Sequence, residues 1–278
     1  METTKKIDLT INTDLARQIL TGFIKSEITR FGYTRAVIAL SGGVDSALSC
    51  YLAAEALSPQ NVLAIRMPYK TSSPDSLEHA QQVIDALGVR SLTVPITEMV
   101  DPLFERFPDA TPTRRGNIMA RERMIVLYDQ SEAFGGLAVG TGNKTEFLVG
   151  YTTLYGDAAC ALNPIGDLYK TQVRQLSHAM GIPAGIIEKP PSADLWVGQT
   201  DEGELGFTYA EVDQLLFLLV DQRYSPSDCV EAGFRKAFVD EVVRRIRRNH
   251  FKRVLPPIAK LTNRTIGYDF LYLRDWGT

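Results

Sequence analysis

The sequence predicts an α/β fold, a doubly wound and mostly parallel sheet with a helical C-terminal part. Short apolar runs alternate with helical patterns over roughly the first half of the chain, and no strand pattern is obvious after residue 151. Such alternation is typical of a parallel sheet covered by helices on both faces, with ligands bound at the carboxyl ends of its strands. A Rossmann-like arrangement is therefore expected. Because neither a linker nor an internal repeat is visible, we expect one domain over residues 1–278.

The individual elements follow from periodicity and from turn residues. The first helix is predicted from the apolar positions Leu15, Ile19, Leu20, Phe23, Ile24 and Ile28, with Thr13 or Asp14 as its cap. Strands are predicted at 36–40, 62–67, 92–96 and 137–140. Helices are predicted directly after residue 46, from 74 to 87 with Gly88 closing, and near 114–133, 169–180, 208–220 and 235–248. The chemistry should sit after Leu40, Met67, Ile96 and Gly140.

Composition excludes several classes of protein. The 278 residues are 45% apolar and 23% charged, close to globular averages, which argues against long disorder. A formal charge of −3 gives no indication of a nucleic-acid or membrane-surface binder. No apolar run reaches the roughly 18 residues of a spanning helix, and METTKKIDLTINTD lacks the apolar part of a secretory signal, so a cytoplasmic protein is expected. Cys50, Cys160 and Cys229 show no C-x-x-C spacing and are interpreted as core or reduced thiols.

The strongest chemical signal lies between the first strand and the helix after it. Its sequence is Ser41-Gly42-Gly43-Val44-Asp45-Ser46. Consecutive glycines let the backbone approach a ligand, and the N–H groups of the turn and of the helix N-terminus favour an anion such as phosphate. Asp45 would repel a bare phosphate and is better explained as a ligand of the Mg²⁺ that a nucleotide carries. A tight turn with Asp45 at the helix start remains the structural alternative.

Other nucleotide motifs are absent or incomplete. No G-x-x-x-x-G-K-[ST] occurs, so a P-loop NTPase is excluded, and the string 143–146 is not interpreted as a GTPase base-recognition motif. Gly140-x-Gly142 lacks the third glycine of the dinucleotide fingerprint. A hydride-transferring dehydrogenase is therefore poorly supported.

The loop at 41–46 resembles the pyrophosphatase loop of the N-type ATP pyrophosphatases, whose fold is adenine nucleotide alpha hydrolase-like. Further segments, in the same order, resemble the ammonia-dependent NAD synthetases within that group. These are RMPY at 66–69, GNIMARERM at 116–124, GTGNKTE at 140–146, YGD at 155–157, NPIGDLYKTQVR at 163–174, PSADLWVGQTDEGELG at 191–206 and HFKR at 250–253. The resemblance covers about residues 10–260.

The resemblance implies residues for ATP and magnesium. Mg²⁺ would be held by Asp45 and Glu146. Lys170 would touch the phosphates, Arg66 would lie by the adenosine and Thr141 would belong to the second ATP cluster. The remaining ATP contacts would come from Ser41, Gly42, Gly43, Val44 and Ser46.

The resemblance also implies residues for the dinucleotide substrate. Asn117 and Arg121, one helical turn apart, would hold it, and Asp157 would belong with its nicotinate end and with catalysis. Less certain substrate contacts are Asp201, Glu202, His250 and Lys252. The basic stretch 242–253 fits either a solvated helix face or contact with an anion, and both readings stay open.

The chain departs from the family pattern at one place. Relatives commonly read YGDGGxD, where this chain has YGDAACA, with Ala158, Ala159 and Ala161 replacing two glycines and an aspartate. Asp157 is retained. The loss of the second carboxylate bears on the contacts to the nicotinate side.

The activity implied by the resemblance is amidation of deamido-NAD to NAD with ammonia, through an acyl adenylate, with release of AMP and pyrophosphate. The alternatives are another amidating or adenylating ATP pyrophosphatase and a non-catalytic adenine-nucleotide-binding domain. No glutaminase domain is expected, because the first strand begins by about residue 36. The expected partners are ATP, Mg²⁺, deamido-NAD and ammonia, with no nucleic acid and no membrane, and the resemblance implies a homodimer.

Overall fold

The computed structural model describes residues 7–196 and 198–269. The first six residues of the METTKKIDLTINTD segment, on which the absence of a secretory signal was argued, lie outside the described residues. Within the described ranges, no helix has both the length and the apolar character needed to cross a membrane.

The sheet has four strands, all parallel, and confirms the predicted α/β architecture. Their order is β3-β2-β1-β4, so the first strand lies in the middle. Its Ala36 pairs with Val62 on one side and with Leu137 on the other. The strands are β1 Ala36–Ala39, β2 Val62–Arg66, β3 Arg90–Thr93 and β4 Leu137–Ala138.

Helices cover both faces of this sheet. The first seven in chain order are α1 Thr13–Arg30, α2 Val44–Leu57, α3 Pro74–Leu87, α4 Thr97–Arg106, α5 Pro112–Phe134, α6 Lys144–Val149 and α7 Lys170–Ala179. The next five are α8 Ala184–Glu188, α9 Asp201–Leu205, α10 Tyr209–Leu216, α11 Pro226–Glu231 and α12 Lys236–Arg248. A single 3₁₀ turn at His250–Arg253 follows.

Successive residues of β1 point into different cores, as expected when a strand is buried on both faces. Ile38 belongs to the core formed with α1, α2, α3, α7 and α8, whereas Val37 belongs to the core formed with α4 and α5. A third apolar cluster joins α6 to α10, α11 and α12, and it includes the fully buried Tyr209 and Val239. The predicted helical C-terminal part therefore has its own core and packs behind α6 and α7.

Three local predictions were wrong. The cap of α1 is Asn12, whose side chain accepts a hydrogen bond from Leu15 N at 3.0 Å, and not Thr13 or Asp14. The third strand runs over Arg90–Thr93 and not over 92–96, because it lies at the sheet edge, where its exposed polar residues give no apolar pattern. Val94 N and Ile96 N still donate to the carbonyls of Arg66 and Pro68 at 2.9 Å.

The third error concerns the apolar face of α1. Ile24 and Ile28 are buried, but Leu15, Ile19 and Phe23 stay exposed. The spacing correctly predicted a helix, but it overestimated how much of the helix the core covers.

Candidate active site

A large cavity opens at the carboxyl edge of the sheet, where ligand chemistry was predicted. Its volume is about 1020 Å³. The segments that follow β1, β2 and β4 all contribute to its wall, and one face of α5 and the segment 189–201 close its sides.

The predicted phosphate loop is tied together by its two serines. Ser46 Oγ donates to the Gly43 carbonyl at 2.9 Å, accepts from Ser41 N at 3.2 Å and lies 3.1 Å from Ser41 Oγ. Gly43 is the N-cap residue of α2 and provides no side-chain cap. The free N–H groups of the first turn of α2 therefore remain available to an anion in the cavity.

Gly42 is required by both backbone conformation and space. Its φ is +82°, and a Cβ at this position would lie 2.1 Å from the carbonyl oxygen of Ser76. The loop therefore packs directly on the first turn of α3. A Cβ at Gly43 would come no closer than 3.4 Å to another atom, so only the first glycine of the pair is sterically essential.

Three predicted residues meet at the mouth of this loop, and we call them the acid–lysine cluster: Asp45, Glu146 and Lys170. Lys170 Nζ contacts Asp45 Oδ2 in a short ion pair and lies 3.4 Å from Glu146 Oε1. The Lys170 side chain is 4% exposed and each carboxylate 15%. Residues 125 positions apart in the sequence, Asp45 and Lys170, are thus brought into direct contact.

Asn143 connects the two acids and was missed by sequence reasoning. Its Nδ2 donates to Asp45 Oδ1 at 2.9 Å, while its Oδ1 accepts from Glu146 N at 3.0 Å and its own N–H donates to Glu146 Oε2 at 3.1 Å. These bonds form a capping box at the start of α6. The N-x-x-E spacing of a capping box was the available signal, but the resemblance of GTGNKTE assigned roles only to Thr141 and Glu146.

Burial and opposite charges set the protonation in the cluster. Burial raises the pKa of the Glu146 carboxyl, Lys170 opposes this shift and the neighbouring Asp45 adds to it. Burial by itself would lower the pKa of the Lys170 ammonium, but the two acids raise it more, so the lysine remains charged. The acid–lysine cluster therefore combines one cation with two acids.

Asp201, predicted as a substrate contact, lines the cavity beside this cluster. Tyr209 Oη donates to its Oδ2 at 3.1 Å, and its carboxylate interacts electrostatically with Lys170 and Glu146. Its Oδ1 is buried and makes no hydrogen bond to any described residue. Glu202, predicted together with it, accepts from Tyr209 N at 2.9 Å and does not line the cavity.

Asp157 lies in the loop between α6 and α7 and lines the cavity. Its carboxylate accepts a hydrogen bond from Thr153 N at 2.8 Å. Burial raises the pKa of this carboxyl, while the Thr153 bonds and the charge of Lys252 act in the opposite direction. An acid with a raised pKa in a cleft is a candidate proton acceptor.

The two predicted residues of α5 both reach that loop but face different sides. Asn117 lines the cavity and its Oδ1 accepts from Thr153 Oγ1 at 2.9 Å. Arg121 is exposed, does not line the cavity, and its Nε donates to the Leu154 carbonyl at 3.3 Å. Because they are one helical turn apart, Asn117 and Arg121 were expected to face the substrate from the same side of α5. Within a single chain, only Asn117 lies where substrate would bind.

Arg66 and Thr141 line the cavity as predicted. Arg66 ends β2, and its Nη1 donates to Gln81 Oε1 at 2.5 Å, while its buried Nε makes no hydrogen bond within the described ranges. Thr141 follows β4 directly. Both residues therefore lie at strand ends, as the sheet topology requires.

Comparisons with known proteins identify the family. A family model described as NAD synthase matches residues 16–256. The chain is 60% identical to the NH(3)-dependent NAD(+) synthetase of Trichlorobacter lovleyi, over 97% of this chain and 98% of that relative. It is 53% identical to the enzyme of the same name from Chlorobaculum parvum, over 97% of each. The chain belongs to the NAD synthase family.

Solved structures agree with this assignment. The fold matches an NH3-dependent NAD synthetase from Campylobacter jejuni with a TM-score of 0.77 and 30% identity, over 90% of this chain and 100% of that one. It also matches an NMN synthetase from Francisella tularensis with a TM-score of 0.80 and 29% identity, over 91% and 100%.

In this member of the NAD synthase family, the departure at 158–161 does not strain the backbone. Neither Ala158 nor Ala159 has a positive φ, so alanine is tolerated in both places. Ala161 is exposed, and its N–H donates to the Ala138 carbonyl at 2.9 Å. The substitution of the family's second acid therefore removes a carboxylate and leaves the course of the loop intact.

The HFKR segment of this NAD synthase has a structural role that sequence reasoning missed. His250 is exposed and does not line the cavity. Lys252 does line it, and its Nζ donates to the carbonyls of Gly150 at 2.8 Å and Thr152 at 2.7 Å. Arg253 donates to the carbonyls of Phe147 and Leu148. These cations bind the C-terminal end of α6, where the helix dipole favours positive charge.

The segment 189–196 forms a strap beside the phosphate loop. Both carboxylate oxygens of Asp194 accept from Ser73 N, at 3.1 and 3.0 Å, and Ser76 Oγ donates to Asp194 at 3.1 Å. Lys189 Nζ reaches Ser76 Oγ at 2.9 Å. Because Ser76 packs on Gly42, the strap and the phosphate loop share one support.

Arg123 is a further cavity residue, to which sequence reasoning assigned no role. It lines the cavity, and its Nε donates to the Met67 carbonyl at 3.0 Å. Burial lowers the pKa of this guanidinium, and the charges of Asp194 and Asp157 oppose that shift. No short motif distinguishes such an arginine from its exposed neighbours.

Proposed function

We propose that this protein is a ligase that converts deamido-NAD to NAD with ammonia and ATP, through an acyl adenylate, with release of AMP and pyrophosphate. The observation that carries the proposal is the acid–lysine cluster at the mouth of the 41–46 loop. Two carboxylates and a lysine around a phosphate-binding turn suit a reaction whose leaving group is pyrophosphate. The 60% identity to an NH(3)-dependent NAD(+) synthetase supports the choice of substrates.

The first half-reaction needs positioning and charge neutralisation. The nicotinate carboxylate is already anionic at neutral pH, so it can attack the α-phosphorus of ATP without a general base. Its attack forms the acyl–phosphate bond and breaks the bond to the β-phosphoryl oxygen, which leaves with pyrophosphate. The N–H groups at the start of α2 and the Lys170 ammonium receive the developing charge.

The cluster fits a magnesium ion bound with the nucleotide. Mg²⁺ is usually held by one or two carboxylates together with phosphate oxygens and water. Asp45 and Glu146 supply two such carboxylates. No group of three or more Asp, Glu, His or Cys side chains in the described ranges could hold a metal ion unaided, which agrees with an ion that takes its remaining ligands from ATP. Such an ion would neutralise phosphate charge.

The second half-reaction needs a proton acceptor. Ammonium predominates at neutral pH and has no lone pair, so it must lose a proton before its nitrogen attacks the adenylate carbonyl and displaces AMP. Asp157 faces the cavity and has a raised pKa, so it can bind the cation and accept its proton. The alternative, in which Asp157 only orients the 153–157 loop through Thr153, predicts a different kinetic phenotype.

Ammonia is proposed as the nitrogen source, and residues 1–278 as one synthetase domain without a glutaminase. In support, the described residues form three adjoining cores around one sheet, and the NH(3)-dependent relatives span the same length. We propose that the protein works in the cytoplasm, which agrees with three free cysteines.

A homodimer is also proposed. Apolar side chains are exposed along α5, α4 and the turn that follows α4: Ile125, Tyr128, Met99, Leu103 and Phe107. An apolar patch of this kind is typical of a protein interface. Arg121 lies on the same outward side of α5, so dimerisation would give this predicted substrate residue a route to a cavity it does not reach within its own chain.

The test is turnover with defined substrates. Purified protein with ATP, Mg²⁺, ammonium and deamido-NAD should give NAD, AMP and pyrophosphate. Nicotinate mononucleotide in place of deamido-NAD tests an NMN synthetase-like specificity, and glutamine in place of ammonium tests the nitrogen source. ADP and orthophosphate as products would exclude adenylation. Glutamate release from glutamine by the protein alone would refute the proposed domain content.

A further inference from the structure

A buried acid that the proposed reaction does not use lies behind the acid–lysine cluster. Asp213 of α10 is fully buried. Its Oδ1 accepts from Thr145 Oγ1 at 2.6 Å, and its Oδ2 accepts from Thr171 N at 2.8 Å. Thr145 is fully buried too, and its Oγ1 accepts from Lys170 N at 3.0 Å.

These three hydrogen bonds join the starts of two helices. Thr145 belongs to the first turn of α6 and Thr171 to the first turn of α7. The next residue after Thr145 is Glu146, and the residue before Thr171 is Lys170. Asp213 therefore holds together the two backbone positions from which Glu146 and Lys170 extend to meet each other at 3.4 Å.

The hydrogen-bond pattern favours an ionised acceptor at this place. Thr145 has one hydroxyl proton, which it gives to Asp213 while it accepts from Lys170 N, so it has no further proton to donate. Thr171 N is a helix-start donor with no partner inside its own helix. Only a group that accepts at both oxygens satisfies the two donors.

Burying such a carboxylate is costly for stability, and an apolar core residue would avoid that cost. Burial raises the pKa of Asp213, whereas the bonds from Thr145 and Thr171 and the charge of Lys170 lower it. The groups that Asp213 connects thus favour its ionised form. This favours a role in positioning these groups over a role in core packing.

We infer that Asp213 is a positioning residue for the first half-reaction, which fixes the Glu146 carboxylate and the Lys170 ammonium at the separation that binding of Mg-ATP requires. The inference rests on the proposed function. It assigns to Asp213 no contact with substrate, and it therefore predicts an effect on ATP and metal but none on deamido-NAD binding.

Asp213→Asn is the informative substitution, because it keeps the size of the side chain. Asparagine can still accept from Thr171 N, but its amide then donates to Thr145 Oγ1, whose own proton is left without an acceptor. Thr145→Val removes the same link from the other side, and Thr145→Ser retains it. The double variant Thr145→Val with Asp213→Asn should be no worse than the more affected single variant, because both break one network.

A matched control separates positioning from loss of stability. Val239→Ala truncates a fully buried side chain of α12 in the same C-terminal core, away from the described contacts of Asp213. All variants are full-length chains, compared by melting temperature, by the rise in melting temperature that Mg-ATP produces, and by exchange of labelled pyrophosphate into ATP in the presence of deamido-NAD. The Mg-ATP shift is measured without turnover.

The expected result is a selective defect. Asp213→Asn and Thr145→Val should weaken Mg-ATP binding and raise the magnesium concentration for half-maximal exchange on the order of tenfold to a hundredfold, with the KM for deamido-NAD unchanged. Thr145→Ser and Val239→Ala should bind Mg-ATP like the wild type below their melting temperatures.

Two outcomes overturn the inference. In the first, Asp213→Asn matches Val239→Ala in every binding and kinetic parameter, so that Asp213 contributes to stability only. In the second, Asp213→Asn raises the KM for deamido-NAD as much as the KM for Mg-ATP. A wild-type protein without any exchange or amidation would instead refute the proposed function, and the two failures are therefore distinguishable.

Discussion

The carbonyl oxygen of Ser76 lies where a side chain on Gly42 would begin: a Cβ there would be 2.1 Å away. This contact fixes the distance between the phosphate loop and α3. It also connects the loop to the strap, since Ser76 Oγ donates to Asp194.

Gly42→Ala should therefore displace the phosphate loop. The added methyl group would clash with the Ser76 carbonyl unless the backbone of Ser76 or of the loop moves. The φ of +82° at Gly42 also disfavours alanine. We expect loss of the Mg-ATP-induced rise in melting temperature and at least about a hundredfold loss of pyrophosphate exchange. Gly43→Ala is the matched control for the melting temperature without ligand, which should fall in Gly42→Ala only, because a Cβ at Gly43 meets no protein atom closer than 3.4 Å. Equal behaviour of the two variants would contradict the steric argument.

Lys170→Met should make the protein depend on magnesium for stability. Without the ammonium, which lowers the pKa of Glu146, the two acids Asp45 and Glu146 remain side by side in a site that is only 15% exposed and has lost its cation. Breaking a buried ion pair in this way costs about 3–5 kcal/mol. In metal-free buffer the melting temperature should fall, and Mg²⁺ should raise it more than in the wild type.

Lys144→Met serves as control for that experiment. Lys144 Nζ pairs with Asp167 at 3.1 Å and Asp221 at 2.8 Å, on the other side of the start of α6. Its loss leaves the acid–lysine cluster intact. If Mg²⁺ stabilises both variants equally, the two carboxylates of the cluster do not bind it.

Asp157→Asn should divide the two half-reactions. The amide keeps the shape of the side chain and can still accept from Thr153 N, but it is a poor base. We expect pyrophosphate exchange to persist and NAD formation to be lost. NAD formation should partly recover at high pH, where more of the ammonium is already deprotonated to ammonia. Equal loss of both activities would assign Asp157 to substrate binding.

The same substitution should stabilise the unliganded fold at neutral pH. Burial raises the pKa of Asp157 above its value of 3.8 in a model peptide. Between the unfolded and the folded pKa the native state binds more protons, so the free energy of unfolding falls as pH rises through that window. Because the Asp157 side chain is exposed to the open cavity, solvent screens this loss of stability and the effect of Asp157→Asn at pH 7 should be small.

The melting-temperature difference between Asp157→Asn and wild type should shrink as pH falls towards about 4, where the unfolded carboxyl also becomes protonated. Thermal unfolding of both proteins from pH 4 to pH 8 measures this difference in melting temperature. A difference that stays constant over this range would mean that the carboxylate is not destabilised by burial.

Local chemistry explains which parts of the site were predictable. The 41–46 loop needs glycine for its backbone conformation and Asp45 at a helix start, and both requirements are visible in six consecutive residues. The contacts of Asp201 were not predictable from sequence, because Tyr209 and Lys170, which interact with it, come from two other helices. The resemblance named Glu202 together with Asp201, but neighbouring residues of a helix face different directions, and Glu202 does not line the cavity.

Edges and surfaces were the least predictable parts of the fold. The exposed, polar edge strand Arg90–Thr93 has no apolar run to mark it, so the prediction moved to the apolar residues beyond it. His250 was expected near phosphate because it stands in a basic motif. The fold uses the other cations of that motif for main-chain carbonyls.

Lys252 and Arg253 hydrogen-bond to the carbonyls at the C-terminal end of α6, and this matters during synthesis of the chain. The ribosome completes the phosphate loop long before it reaches residue 252, and domains fold progressively as the chain emerges. Glu146 is carried by a six-residue helix, which is too short to be stable by itself, and its carbonyl end is held by cations that are synthesised late. A chain that ends before residue 252 therefore lacks the cations that hold the carbonyl end of the helix that carries Glu146.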